Sequence, residues 1–116
     1  MDPASHLPID CFASRDLPLK EQWFYYFISD IILANSLLRA DERVDADRIG
    51  LTGISWGGLG VSTALCYDDR FAFAAPVYGG GFMQASTSPW GKFGGPGVDD
   101  IWDAQTLLPE VRMPVM

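Results

Sequence analysis

One short stretch of this sequence, Gly53-Ile54-Ser55-Trp56-Gly57, constrains the fold more than any other. An apolar run precedes it and a glycine-rich segment follows it, which is the order expected for a strand, a tight turn and a helix. Such a turn is crowded, so glycines two residues before and two residues after the serine avoid a clash with a Cβ atom. The pattern therefore predicts a parallel strand that turns sharply into a helix, with Ser55 at the apex.

A turn of this kind presents the serine hydroxyl for nucleophilic attack, which is why it is called a nucleophile elbow. The backbone N–H of the following residue, Trp56, would stabilise the oxyanion that forms during acyl transfer. We predict that Ser55 is the nucleophile and Trp56 the oxyanion-hole donor, with no metal and no organic cofactor. The alternative is a glycine-rich turn that carries an incidental serine.

The residues on either side of the turn resemble a known family. Residues 44–58, VDADRIGLTGISWGG, are similar to the elbow region of α/β-hydrolases, especially the acetyl xylan esterase and prolyl-oligopeptidase-like branch. The resemblance implies an α/β fold with a parallel sheet and flanking helices, in which residues 1–116 form a single domain that covers the elbow half. Trp56 stands where the peptidase members commonly carry Tyr, which favours ester substrates.

The resemblance implies hydrolysis of a small carboxylic ester with a short acyl group, such as acetyl. A prolyl-oligopeptidase-like peptidase is one alternative, and a catalytically inactive module that packs or binds a partner is another. In the family the acid and the histidine follow the nucleophile, but no histidine follows Ser55 here. His6, the one histidine, precedes it and does not match the family position. A solvated histidine near the terminus is therefore favoured over a catalytic base.

The remaining patterns predict elements around the elbow. Residues 18–39 predict a helix with Asp16 as its cap, and an aromatic run in its first turns is expected to pack in the core. Its predicted apolar stripe is formed by Trp23, Phe27, Ile31, Ala34 and Leu38, and Phe24, Ile28 and Leu37 widen it. The polar side of the helix is predicted to carry Gln22, Ser29 and Ser36. Residues 71–78 predict a second buried strand in which Pro76 marks an end or an irregularity. Residues 99–108 predict a short helix, and residues 111–116 predict a third strand.

Residues 79–100 are rich in glycine and proline and predict a long loop. Because ligands bind beyond the carboxyl ends of parallel strands, this loop is expected beside Ser55. Its apolar side chains are candidates for the wall of a substrate pocket: Phe82, Met83, Trp90 and Phe93. The alternative is a surface insertion without a role in binding.

The charge and composition of the sequence argue against several classes of binding partner. The net charge of -7 argues against nucleic acid and against an anionic membrane surface. The sequence begins without a basic segment followed by an apolar one, which predicts no secretory signal and a cytoplasmic location by default. Asp99, Asp100 and Asp103 lack a histidine nearby, so they predict a solvated helix start and no metal site. An unpaired sheet edge is expected to make the protein a homo-oligomer.

Overall fold

A computed structural model of the chain describes residues 13, 14, 16–81 and 101–116. Two strands form the sheet: β1, Gly50–Ile54, and β2, Phe73–Val77. The helices described are α1, Trp23–Arg39, α2, Trp56–Ala64, and α3, Ala104–Leu107. Short 3₁₀ segments cover Leu19–Glu21, Ala46–Arg48 and Leu108–Glu110.

The two strands run parallel and are joined by α2, so the predicted α/β architecture is confirmed. Their register runs from Gly50 opposite Phe73 to Ile54 opposite Val77. Two parallel neighbours need a crossover connection, and the helix that follows the elbow supplies it. The strand–turn–helix order read from the sequence is therefore the order found in the fold.

Helix α1 begins later than predicted. Residues 19–21 form a 3₁₀ turn, and the α-helix starts at Trp23 with Gln22, not Asp16, at the N-cap position. The Gln22 side chain makes no capping bond. Instead the Ser14 hydroxyl accepts a hydrogen bond from the N–H of Trp23 at 2.9 Å. A serine nine residues upstream thus satisfies one of the donors that a helix N-terminus leaves open.

The buried face of α1 also differs from the predicted stripe. Phe24 and Ile28 are buried as expected, but Ala34, Leu37 and Leu38 are exposed. Asn35, which the stripe did not include, is buried. The difference arises because the amide of Asn35 turns inward to a buried carboxylate, and a helix can bury only one face at that level. A polar contact that no apolar periodicity reveals has therefore set the orientation of the helix.

An aromatic cluster joins α1 to α2, which confirms the prediction that the aromatic run packs in the core. The ring of Trp23 stacks on Phe27 with centroids 4.6 Å apart. Trp56 lies 5.4 Å from Trp23 and 5.7 Å from Phe24, and Phe24 stacks on Trp102 at 6.1 Å. Gln22, which the sequence placed on the polar side of the helix, is buried and accepts a hydrogen bond from the indole of Trp102 at 2.8 Å.

Two expectations for the second and third strands need correction. Pro76 lies inside β2, opposite Gly53. It is tolerated because Ala74, two residues earlier, directs its N–H away from β1 to Pro114, so the missing N–H of Pro76 falls on the side that β1 does not use. Residues 111–116 do not form a regular strand, since their pairing is a single parallel bridge between Ala74 and Val115.

The helices cover one face of the sheet only. Leu51 and Ala74 point into the core beneath α1 and α2. On the opposite face Ile54, Phe73 and Val77 are exposed. The prediction that the second strand is buried is therefore correct for one face of β2 and wrong for the other. The described part of the molecule is thus a two-layer sandwich of helices on a sheet with a bare second face. No helix among the described residues is long and apolar enough to cross a lipid bilayer.

Candidate active site

Ser55 lies at the apex of the turn between β1 and α2, with a backbone conformation that L-residues rarely adopt. Its φ is 56° and its ψ is -113°. Its N–H donates to the carbonyl of Val77 at 2.8 Å, and its own carbonyl accepts from Leu59 in the first turn of α2. A non-glycine residue held in such a region costs on the order of 1–3 kcal/mol, and strain of this kind clusters at functional sites. Ser55 is exposed, so its side chain is accessible.

Only one of the two predicted elbow glycines is required by close packing. A Cβ atom on Gly53 would lie 2.5 Å from the carbonyl oxygen of Gly57, far inside van der Waals contact. A Cβ on Gly57 would meet no atom of the described residues within 4 Å. The expectation that a side chain at Gly57 must clash is therefore wrong. The turn is crowded on the strand side, because the first turn of α2 folds back over Gly53.

Two further glycines let α2 approach its neighbours. A Cβ on Gly58 would lie 2.5 Å from the carbonyl oxygen of Val77 and 2.9 Å from the nitrogen of Gly79, so α2 rests directly on the end of β2. Gly60 faces α1, where a Cβ would lie 2.4 Å from the ring of Phe27. These contacts fix the start of α2, and with it the position of Ser55.

Trp56 is the first residue of α2, as the oxyanion-hole prediction requires. Its ring packs on Trp23 and Phe24, which anchors the turn to α1. The N–H groups at a helix N-terminus point away from the helix and favour negative charge. The local geometry is therefore suited to an oxyanion beside Ser55, while the role of Trp56 itself stays a prediction.

Two ionisable groups just after the end of α2, Asp68 and Cys66, have shifted pKa values. Burial raises the pKa of Asp68, but hydrogen bonds from Arg70 and Asn35 outweigh it, so the pKa lies below its usual range. Burial also raises the pKa of the Cys66 thiol to about 11. This thiol lies just past the end of α2 and donates to the carbonyl of Ser62 at 3.2 Å. Cys66 is thus a protonated, packed thiol rather than a nucleophile.

Several predicted site residues lie outside the described part of the chain. These are His6 and the pocket candidates Phe82, Met83, Trp90 and Phe93, so their roles stay predictions. The residues that flank the segment 82–100 on either side are described. Gly80 packs near Leu59, and a Cβ on Gly81 would lie 4.0 Å from the Asp103 carboxylate. Of the helix predicted over residues 99–108, the structure describes α3, for which Asp103 is the N-cap. Asp103 is buried, so the prediction of a solvated helix start is wrong for that residue.

Tyr78 is a feature that the sequence did not indicate. It follows β2 and adopts a φ of 53°, the second left-handed non-glycine residue among those described. Glycine, asparagine or aspartate would be the sequence signal for such a backbone, and tyrosine is not one. Ser55 and Tyr78 are the residues that directly follow Ile54 and Val77, the last pair of the sheet.

Comparison with models of protein families matches residues 17–92, more than half of the chain, to the prolyl oligopeptidase family. The chain belongs to the prolyl oligopeptidase family. Comparisons with curated proteins and with solved structures returned no match. Because this family is part of the α/β-hydrolase superfamily, the resemblance read from the elbow is correct at that level, and the chain is a serine hydrolase of the α/β-hydrolase type. The match does not support the finer resemblance to acetyl xylan esterases.

Proposed function

We propose that this prolyl oligopeptidase family member hydrolyses peptide-type acyl bonds through a covalent intermediate on Ser55. The observation that carries the proposal is the left-handed backbone of Ser55 at the junction of β1 and α2, inside the region of the family match. A buried or mid-helical serine could not present its hydroxyl to a substrate. An exposed serine held at an apex can.

The chemistry follows from this position. The Ser55 oxygen attacks the carbonyl carbon while a base takes its proton, and the carbonyl oxygen becomes an oxyanion. The N–H of Trp56 donates to that oxyanion, which lowers the barrier by a few kcal/mol for a well-placed donor. The C–N bond then breaks as the amine takes a proton, and water hydrolyses the acyl-serine to release the acid and restore the hydroxyl.

The motif does not identify the general base that takes the proton of Ser55. His6 is the one histidine in the sequence, and it precedes the nucleophile instead of following it as the family order requires. We therefore expect His6→Ala to leave any hydrolysis by Ser55 unchanged. A rate loss of about tenfold or more in that variant would make His6 the base after all.

A short-acyl esterase is the second candidate. Trp56 favours an esterase, because the peptidases that the sequence resembles commonly carry Tyr at the position after the serine, and this chain carries Trp there. Esters have a better leaving group than amides and need less help from a base, so an ester is also the more sensitive probe. Comparing a p-nitrophenyl acetate with a peptidyl aminomethylcoumarin would assign the substrate class by the ratio of the two kcat/KM values.

The decisive experiment is covalent labelling with a biotinylated fluorophosphonate, followed by peptide mapping. We expect the label on Ser55 and expect Ser55→Ala to abolish it. The matched control is Ser29→Ala, which removes a serine from α1 away from the turn and should leave the label in place. Absence of label on Ser55 in the folded protein would contradict the proposal and favour the non-catalytic module, which keeps the fold for packing or binding.

A further inference from the structure

We infer that Tyr78 forms an aromatic wall of the substrate site, which contacts an apolar group next to the scissile bond. The inference rests on the proposed role of Ser55 and adds a residue that neither the motif nor the family match assigns. Three observations carry it: the position of Tyr78 beside Ser55, the way its backbone is held, and the exposure of its ring.

Tyr78 lies beside Ser55 at the carboxyl end of the sheet. Ile54 is opposite Val77 in the parallel register, so the next residues on each strand are Ser55 and Tyr78. The N–H of Ser55 donates to the carbonyl of Val77, the residue bonded to Tyr78. Neighbouring strands lie roughly 5 Å apart, which puts the tyrosine backbone within one strand spacing of the serine. Ligands in parallel α/β sheets bind at this end.

The backbone at Tyr78 is fixed on both sides. Val77 is held by Ser55, and Gly79 lies against Gly58, where a Cβ would come within 2.9 Å of the Gly79 nitrogen. The chain must therefore pass through Tyr78 with a positive φ, a conformation that suits glycine. A tyrosine at a position where glycine would be unstrained indicates that its side chain has a use.

The ring of Tyr78 is too exposed for packing in the core to explain why a tyrosine stands at this position. The side chain of Tyr78 is 85% exposed, the largest exposure among the large apolar residues described. Exposed apolar side chains of Ile54 and Val77 lie on the two strands beside it. A fixed backbone that carries an exposed aromatic ring is preorganised for contact with a ligand, because little backbone freedom is lost on binding. An exposed ring offers apolar area to a ligand, which favours ring contact over a role for the phenol hydroxyl.

The test uses two sulfonyl fluorides that differ by one phenyl ring. Methanesulfonyl fluoride and phenylmethanesulfonyl fluoride both form an O–S bond with a reactive serine, release fluoride from sulfur and transfer the serine proton to base or solvent. We expect Tyr78→Gly to slow labelling of Ser55 by the phenyl reagent by roughly fivefold, the scale of one aromatic contact. Labelling by the methyl reagent should stay within about twofold, and Tyr78→Phe should leave both rates unchanged.

Two controls keep the outcomes distinct. Tyr78→Gly should fold, because glycine suits the left-handed backbone, and Tyr78→Asn serves the same purpose if it does not. Leu37→Ala removes an apolar side chain that is 74% exposed on α1 and should change neither rate. If the phenyl reagent labels Ser55 equally fast in wild type and in the Tyr78→Gly variant, the inference fails and the proposed function stands. If neither reagent labels Ser55 in wild type, both fail together.

Other results would also overturn the aromatic wall. Equal loss of both rates in Tyr78→Phe would assign a role to the hydroxyl instead of the ring. A change in mass by light scattering in Tyr78→Gly would place the tyrosine in a contact between copies of the chain.

Discussion

At the scale of single residues, the turn around Ser55 depends on one glycine more than on the pair that the motif suggests. Gly53 has the backbone of Gly57 directly above it, whereas a Cβ on Gly57 would meet no atom of the described part of the chain within 4 Å. The two glycines thus occupy equivalent places in the pattern and different places in the structure. Substituting each by alanine separates the two roles, because the added methyl group is the same.

We predict that Gly53→Ala destabilises the fold by roughly 1–3 kcal/mol, since the methyl group must displace backbone atoms. Gly57→Ala should be neutral or stabilising by up to about 1 kcal/mol, because alanine is the better helix former. Urea denaturation of the two variants and wild type measures both changes. Equal destabilisation by the two alanines would show that Gly57 is also packed, and the argument from open space would be wrong.

At the scale of elements, a buried carboxylate joins α1 to the chain that leaves α2. Asp68 accepts from the side chain of Arg70 at 2.7 and 2.8 Å and from the amide of Asn35 in α1 at 2.9 Å. Arg39, at the end of α1, adds a bond to the carbonyl of Arg70 at 3.2 Å. This network holds the Asn35 amide on the inner side of α1 and so sets which apolar residues of the helix are buried.

We predict that Asp68→Asn lowers the free energy of unfolding at pH 7 by roughly 1–2 kcal/mol, because charge-assisted hydrogen bonds are weakened. The pKa of Asp68 is depressed in the folded state. Its contribution is therefore complete above the unfolded pKa of about 3.9 and is lost as the pH falls through the folded pKa. Urea titrations from pH 7 to pH 3 should show a constant difference that shrinks below about pH 4.

The control for the charge is Asn35→Ala, which removes one neutral donor and keeps the Arg70 pair. Its effect should be smaller than that of Asp68→Asn at pH 7. If Asp68→Asn instead keeps the same deficit at pH 3 as at pH 7, the carboxylate charge contributes nothing, and the network is held by its shape alone.

At the scale of the whole molecule, the described residues leave one face of the sheet without helices and one edge of β1 without a neighbouring strand. Ser55 directs its N–H to β2, so by the alternation of a parallel ladder Gly50, Thr52 and Ile54 direct their peptide groups outward. No strand of the described residues pairs with that edge of β1. Exposed apolar side chains beside such an edge favour pairing with another chain.

We predict that the protein associates with itself through β1, with a mass by light scattering that rises with concentration. Ile54→Lys should shift the protein toward monomer, because a charged residue at an edge opposes pairing. Leu37→Lys is the matched control, since Leu37 is 74% exposed and Ile54 67%. A monomer at every concentration contradicts the prediction, and an equal shift by both lysines would place the contact on α1.

The sequence by itself determined the elements that depend on neighbours along the chain. The elbow at Ser55, the strands on either side of α2 and the aromatic run in α1 were predicted because their signals are local. Glycine placement reports a tight turn, and apolar periodicity reports a buried face. The resemblance to α/β-hydrolases rests on the same local pattern, since motif residues must be adjacent to build an elbow. The family match extends beyond the motif, over residues 17–92.

Tertiary structure decided what depends on groups far apart in sequence. Asn35 is buried because its amide donates to Asp68, 33 residues further along the chain. Position 53 has no room for a Cβ atom because α2 folds back over it. Tyr78 adopts a left-handed backbone because Ser55 and Gly58 hold its neighbours on either side. No local propensity contains these contacts, since each free energy arises from two segments that meet only when the sheet has formed.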